Sequence, residues 1–232
     1  KLQSADLSKI ITKISYRPFD KQFIGYDKLL VDWTREKVQN NLLKDNLSIT
    51  IGRQGQVTGD NLWDLIYIQN TISDLNLFYR GGGIVCPLYI YPEKTDQHSL
   101  LEFENVGSSR DLTVQRTPNL NMEIVNQIGE QLGIPFVADE MLKQVQHDKS
   151  VFSPIDILDY IYAVLHSPNY REKYKEFLKI DFPRVPYPKN QKTFFDLVDL
   201  GSQLRQSHLL ESEVTEKYIT QYPEDGDNIV VK

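Results

Sequence analysis

The chain has 232 residues, of which 40% are hydrophobic and 25% charged, a globular composition that excludes the disordered and fibrous classes. Its single cysteine, Cys86, excludes a disulfide framework within the chain and zinc sites built on several cysteines, so a reducing, cytoplasmic location is expected. The net charge of −6 argues against a general nucleic-acid coat, but residues 1–60 carry 10 Lys/Arg against 7 Asp/Glu. No apolar run is long enough for a membrane span, and the first residue, Lys1, indicates a piece of a longer protein.

The first 120 residues predict a mixed α/β part with several short strands. Alternating or continuous apolar residues predict these strands around Ile14 and Tyr16, over Phe23–Tyr26, Leu47–Ile51 and Leu62–Ile68, and over Ile84–Tyr91. A helix is predicted to begin with Thr34 as its N-cap and to carry Val38, Leu42 and Leu43 on its apolar face. Residues 92–120 are polar and rich in turn residues, which predicts a long loop.

The second half predicts helices with well-formed start and stop signals. Met122–Leu132 has helical spacing of its apolar residues, and Gly133 closes that segment. Ser153 is a helix N-cap with proline at the first helical position and Asp156 at the third, and Ser167-Pro168 repeats the start signal. The sequence therefore predicts two consecutive helices after residue 153.

The remaining segments complete a mixed α+β fold class. Three prolines between Asp181 and Pro188 exclude a helix there, and a last helix is predicted from about Thr193 to Leu210. The predicted organisation is a mixed α/β part over residues 1–120, a helical part over 121–210 and an acidic tail over 211–232.

The chain lacks the sequence patterns of a catalytic or metal centre. No pair of its four histidines has zinc-ligand spacing, which predicts ordinary surface or core residues at His98, His147, His166 and His208. Cys86 lies in an apolar run and is predicted to be a buried structural thiol. No glycine-rich cofactor loop follows a strand, and Ser167–Tyr170 is better explained as a helix cap than as a base-binding methyltransferase motif. We therefore predict no catalytic residue, no metal and no cofactor in this chain.

The polar run Arg53-Gln54-Gly55-Gln56 is the best candidate for base contacts. Arginine pairs bidentately with guanine and glutamine with adenine in the major groove of DNA, and the glycine lets the backbone approach closely. We predict base contacts from Arg53, Gln54 and Gln56. A polar hairpin tip without a ligand is the alternative interpretation of the same residues.

Further cations in loops or on exposed helix faces are candidates for phosphate contacts. The predicted phosphate contacts are Arg17, Arg80, Arg110, Arg171, Lys175, Arg184 and Lys189. Glu172 and Glu176 lie among these cations, so a solvated helix face explains Arg171 and Lys175 equally well. Arg17 and Arg184 have a structural alternative as ion-pair partners or carbonyl anchors.

Several longer strings of the sequence resemble a known family. These strings are Tyr16–Asp20 followed by Arg35–Val38, Pro87–Tyr91, Asp159–Pro168 continuing to Leu178, and Asp181–Pro186 continuing to Leu210. Together they resemble the C-terminal target-recognition domain of type ISP and type IIG-like restriction-modification enzymes. The similarity covers roughly residues 10–210.

The resemblance implies a division of labour within a larger polypeptide. An upstream domain would bind S-adenosylmethionine and methylate adenine N6, and this domain would recognise the sequence of double-stranded DNA and hold it against the methyltransferase domain. A module that couples the methyltransferase domain to a translocase or nuclease, without base contacts, is the alternative. A contiguous basic concave face would favour DNA recognition, and a flat apolar face flanked by acidic residues would favour coupling.

Overall fold

The computed structural model describes residues 10–52, 63–78, 82–92, 116–138, 149–217 and 226. The strands of this part of the chain are β1 (Ile11–Arg17), β2 (Asp20–Gly25), β3 (Ser48–Ile51), β4 (Ile66–Gln69), β5 (Ile72–Ser73), β6 (Ile84–Pro87), β7 (Tyr89–Ile90) and β8 (Thr117–Pro118). The helices are α1 (Glu36–Gln39), α2 (Met122–Leu132), α3 (Pro154–His166), α4 (Pro168–Lys173), α5 (Lys175–Leu178) and α6 (Gln191–His208). The predicted mixed α+β class is confirmed.

The strands form three small sheets rather than one large one. β1 pairs antiparallel with β2 and parallel with β5, while β3 lies between β4 and β6 and is antiparallel to both. β7 and β8 form a two-stranded ribbon. The predicted strands at the start of the chain, at β3 and over β6–β7 are present. β4 begins later than predicted, at Ile66, because the Ile66 amide closes a tight turn on the Asp64 carbonyl at 2.8 Å.

The first helix differs from its prediction at both ends. Its N-cap is Arg35 rather than Thr34, with a left-handed φ of 48°. The guanidinium of Arg35 donates to the carbonyls of Ser73 (3.2 Å) and Gly83 (3.4 Å), and these bonds fix the unusual backbone. α1 ends after one turn and continues as a 3-10 turn, so Leu43 is 48% exposed instead of facing the core.

The helical half follows its start and stop signals closely. The Ser153 amide donates to the Asp156 carboxylate at 2.7 Å, which completes the predicted capping box of α3. Gly133 ends α2 with a φ of 69°, as its position predicts. The last helix begins two residues earlier than Thr193, because the Asn190 side chain accepts from the Thr193 amide at 2.8 Å and caps the helix.

α3 and α6 pack closely against each other and form the centre of the helical half. A Cβ added at Gly201 would lie 1.9 Å from the Asp159 carbonyl oxygen, so the two backbones approach here as only glycine permits. One turn further along, Arg205 Nε donates to the buried Asp159 carboxylate at 2.7 Å. The pair joins the two helices across their contact.

The main hydrophobic core contains residues from both sides of residue 120. Ile68 and Trp63 from the N-terminal part share it with Phe152, Tyr162 and Phe194 from the helical part. A second, smaller cluster lies under β1 and consists of Ile14, Leu42, Ile72 and Val85. The predicted parts therefore share the main core within the described residues.

Cys86 differs from its prediction. It lies on β6, where Val85 and Pro87 are buried and Ile84 and Cys86 face outward, so the thiol is exposed. The alternation of the strand explains the difference, since a two-residue period cannot bury four consecutive apolar residues on one side. Among the described residues, no helix is long and apolar enough to cross a bilayer.

Candidate functional site

A cleft of about 600 Å³ opens where the β1–β2 hairpin and β4 meet the C-terminal ends of α3 and α6. The residues that line it include Arg17, Phe19, Asp64, Tyr67, His166, Arg171 and His208. Its volume lies within the range of about 300–1,000 Å³ that is typical of small-ligand sites. The cleft joins side chains that lie far apart in the sequence, from the first strand to the last helix.

The tight turn between β1 and β2 holds Phe19 at the edge of the cleft. Arg17 and Asp20 pair across the turn, and Pro18 and Phe19 form its two central residues. Proline followed by a positive φ matches a type II turn, but Phe19 with its φ of 64° occupies the position that glycine or asparagine normally takes. Phe19 is nevertheless 56% exposed. A large aromatic ring is therefore held at the surface by a strained backbone.

The hydroxyl of Tyr67 joins three elements at the base of the cleft. It accepts a hydrogen bond from the Phe19 amide (3.0 Å) and donates to the His208 carbonyl (3.3 Å). The Phe19 ring also makes T-shaped contacts with the rings of Tyr67 and His208, with centroids 5.4 and 5.6 Å apart. The hairpin turn is thus fixed to β4 and to the end of α6 through one side chain, and burial raises the pKa of that tyrosine.

Arg171 determines which ring nitrogen of His166 carries the proton. Its Nε donates to the Leu165 carbonyl at 2.7 Å, and its Nη2 lies 3.2 Å from His166 Nδ1. Arginine has no acceptor, so His166 Nδ1 accepts and the proton of the neutral ring lies on Nε2. That Nε2 atom is enclosed and has no hydrogen-bond partner among the described residues. Burial, with the charge of Arg171 and the neighbouring His208, lowers the pKa of His166 to about 3.

His208 is held neutral in the same way. Its Nδ1 lies 2.6 Å from the Tyr162 hydroxyl, and burial together with the charge of Arg171 lowers its pKa. Burial raises the pKa of Tyr162, so the tyrosine keeps its proton. The cleft therefore combines two neutral imidazoles with the cations Arg17 and Arg171.

Two of the predicted phosphate contacts, Arg17 and Arg171, meet in this cleft. Arg17 lies 3.5 Å from the Asp74 carboxylate, and its guanidinium stacks on Tyr16 at 4.0 Å from the ring centroid. Arg171 is bound to the Leu165 carbonyl and lies 5.7 Å from the Trp63 ring centroid. Both arginines therefore have structural partners in addition to facing the cleft.

The other described cations lie outside the cleft. Lys175 pairs with Glu172 at 2.6 Å on an exposed helix face. Arg184 lies 3.4 Å from Asp181 and over the ring of Phe177, and Lys189 is exposed. Their roles as phosphate contacts stay predictions.

The predicted base contacts Arg53, Gln54 and Gln56, like the phosphate candidates Arg80 and Arg110, lie outside the described residues. The residues on either side of segment 53–62 are described, and hydrogen bonds join them to each other. Gly52 donates its amide to the Leu65 carbonyl at 2.8 Å and accepts from Trp63 Nε1 at 3.1 Å. Asp64 and Leu65 line the cleft, so the segment that contains Arg53 leaves and rejoins the described chain beside the cleft.

The sequence patterns do not single out Phe19, Tyr67, His166 or His208 as site residues. One local signal was available, because an aromatic residue directly after proline between two short strands is an unusual turn residue. The histidines and Tyr67 gave no such signal, since they meet only through the packing of distant elements. Among the described residues, no group of three or more His, Cys, Asp or Glu side chains is placed to hold a metal ion.

Comparison with protein families gives a match over the whole chain. The family model described as "Type ISP C-terminal specificity domain" matches residues 1–232. A search of the curated proteins finds no match.

Two solved structures share the fold. A cryo-EM structure of a DrdV–DNA complex has a TM-score of 0.60 and 20% identity, over 89% of this chain and 16% of that one. A nuclease-deletion mutant of the Type ISP restriction-modification enzyme LlaGI, in complex with a DNA substrate mimic, has a TM-score of 0.53 and 24% identity, over 86% of this chain and 14% of that one. The chain thus spans about one seventh of the length of these structures.

Proposed function

The chain belongs to the family of Type ISP C-terminal specificity domains, and from that membership we propose that it recognises the sequence of duplex DNA for a restriction-modification enzyme. On this proposal S-adenosylmethionine binding and adenine N6 methylation belong to an upstream methyltransferase domain of the same polypeptide. This chain would contribute residues that position the duplex and read its bases. Such a domain works in the cytoplasm, where it meets DNA.

One observation carries the proposal beyond family membership. The segment with the predicted base contacts Arg53, Gln54 and Gln56 is anchored by Gly52 and Trp63, next to the cleft that holds Arg17 and Arg171. Base readers need neighbouring phosphate contacts that fix their register on the duplex. The two described ends of this segment lie beside Asp64 and Leu65 of the cleft, and this supports the proposal despite the overall negative charge of the chain.

The first experiment tests the predicted phosphate contact of Arg17. Arg17→Ala in the 232-residue chain should weaken binding of all duplexes alike and reduce the slope of log affinity against log salt concentration by about one. Lys192→Ala is the matched control, because Lys192 pairs with Asp196 on an exposed helix face away from the cleft. Fluorescence anisotropy over a salt series measures the affinity and the slope for each variant. An unchanged slope for Arg17→Ala would remove Arg17 from the interface.

The base contacts are tested in the full parent enzyme by mapping methylated adenine. Arg53→Ala should cost about 1–3 kcal/mol at one position of the recognised sequence and relax specificity there. Exchanging residues 1–232 for the equivalent region of a relative should switch the methylated motif. If the motif stays the same while activity persists, sequence recognition lies elsewhere.

A specific observation also favours a second function, the docking of an adjoining domain. An apolar groove of about 280 Å³ runs between α2, α3 and the proline-rich connector and is lined by Ile124, Ile161, Val185 and Tyr187. Coupling between a methyltransferase domain and a translocase or nuclease would use such a surface. An exchange of residues 1–232 that leaves the motif unchanged but uncouples cleavage from methylation would support this function instead.

A further inference from the structure

We propose that the cleft holds one unstacked nucleobase of the bound DNA, with the ring of Phe19 as its stacking surface and the Asp64 carboxylate as the acceptor for an exocyclic amino group of the base. The inference rests on the proposed DNA binding and deepens it, because it names the part of the nucleic acid that this cleft accepts. It concerns a base removed from the stack, not the paired bases that a groove reader contacts.

The presentation of Phe19 is the first support. Replacing an exposed phenylalanine normally costs a protein little stability. Phe19, however, is held in a left-handed backbone conformation that its residue type disfavours. Its amide is bound by the Tyr67 hydroxyl, and its ring is fixed by two T-shaped contacts. Strained backbone of this kind persists where surrounding contacts fix it, and it clusters at functional sites. A rigid, exposed aromatic ring is the usual stacking surface for an unpaired base.

A polar group in the same cleft is the second support. Asp64 lines the cleft and is exposed, so its carboxylate is accessible to a ligand. A carboxylate accepts hydrogen bonds from the exocyclic amino groups that adenine, cytosine and guanine carry on their edges. An acceptor is thus available to a base edge.

The mixture of these groups favours a base over simpler occupants. A phosphate alone would meet the negative charge of Asp64, and an apolar side chain would cover the Asp64 carboxylate without offering it a hydrogen-bond donor. Arg17, the last residue of β1 before the turn, lines the same cleft and offers a positive charge to the phosphate of the same nucleotide. A nucleotide supplies an aromatic face, a polar edge and an anion together.

The test uses three duplexes of one sequence with the 232-residue chain. One carries a single bulged 2-aminopurine, one an abasic bulge at the same place, and one is fully paired. We expect the bulged base to bind at least about five-fold more tightly than the abasic bulge, the lower end of what base–aromatic stacking contributes. Its fluorescence should be quenched on binding.

Variants separate stacking from folding. Phe19→Asn suits the left-handed turn but removes the ring, so the preference for the bulged base over the abasic bulge should fall by at least about five-fold. Phe19→Tyr should retain the preference. Phe23→Asn is the matched control, since Phe23 is 73% exposed on the same hairpin but does not line the cleft.

The possible failures are distinguishable. Equal affinity for bulged base and abasic bulge, or a preference that survives Phe19→Asn, overturns the nucleobase site while duplex binding stands. If no duplex binds, the proposed DNA recognition fails. The 2-aminopurine deoxynucleoside 5′-monophosphate then tests the cleft alone. Saturable quenching that depends on Phe19 supports the site, and no saturation at millimolar concentration overturns it.

Discussion

At the scale of single residues, the imidazole of His166 makes the stability of the domain depend on acid. Its pKa is about 3 in the folded chain, because burial and the charge of Arg171 disfavour the protonated ring. In the unfolded chain the pKa is about 6.5. Between these two values the unfolded state binds more protons, so the free energy of unfolding rises with pH up to about 6.5 and falls as the pH decreases towards 3.

Removing this titration should flatten the pH dependence. His166→Asn keeps a hydrogen-bonding side chain but has no group that protonates in this range, so its stability should decrease less steeply between pH 7 and pH 4.5 than that of the parent chain. Urea unfolding at several pH values measures the difference. Equal slopes for the two proteins would show that His166 is not protonated on unfolding.

At the scale of secondary-structure elements, the contact between α3 and α6 depends on Gly201. A methyl group there would meet the Asp159 carbonyl at 1.9 Å, and a backbone atom cannot turn aside as a side chain would. Gly201→Ala should therefore destabilise the chain by about 1–3 kcal/mol, although alanine is the better helix former by about 1 kcal/mol. Thermal unfolding measures the effect. Leu200→Ala is the control, since Leu200 is 54% exposed, and a Gly201→Ala variant as stable as it would contradict the close approach.

At the scale of the whole molecule, the Tyr67 hydroxyl connects the first hairpin with the end of the last helix. Tyr67→Phe removes one hydrogen bond to the Phe19 amide and one to the His208 carbonyl and keeps the packing of the ring. We expect a loss of about 1–3 kcal/mol in the free energy of unfolding. Tyr187→Phe is the matched control, because the one hydrogen bond of the Tyr187 hydroxyl to the described residues is long (3.5 Å, to Gln127) and exposed. A loss no larger than that of the control would show that the bridge contributes nothing to stability.

Local signals predict local structure in this chain. The capping box at Ser153 and the closing glycine Gly133 are set by neighbouring residues, and both are present. Thr34 failed as a cap because Arg35 is held by carbonyls of Ser73 and Gly83, about 40 residues later in the sequence. The capping preference of a residue type carries no information about partners so far away in the sequence.

The candidate site was predictable only by residue type. The sequence predicts Arg17 and Arg171 as phosphate contacts because they are cations, but their presence in one cleft depends on the packing of the first hairpin against α3 and α4. Phe19 and His208 are neighbours in space and almost 190 positions apart in the sequence. Hydrophobic periodicity assigns a residue to a face of an element and does not say which faces meet.

The closure of the chain at Gly52 and Leu65 has a consequence for protein engineering. The amide of Gly52 donates to the Leu65 carbonyl at 2.8 Å, and the Trp63 indole donates to the Gly52 carbonyl, so the ends of segment 53–62 are fixed by groups outside it. Doubling the length of a flexible insert costs only about 0.6 kcal/mol in closure entropy. We therefore expect the chain to tolerate grafted inserts of different length between Gly52 and Trp63.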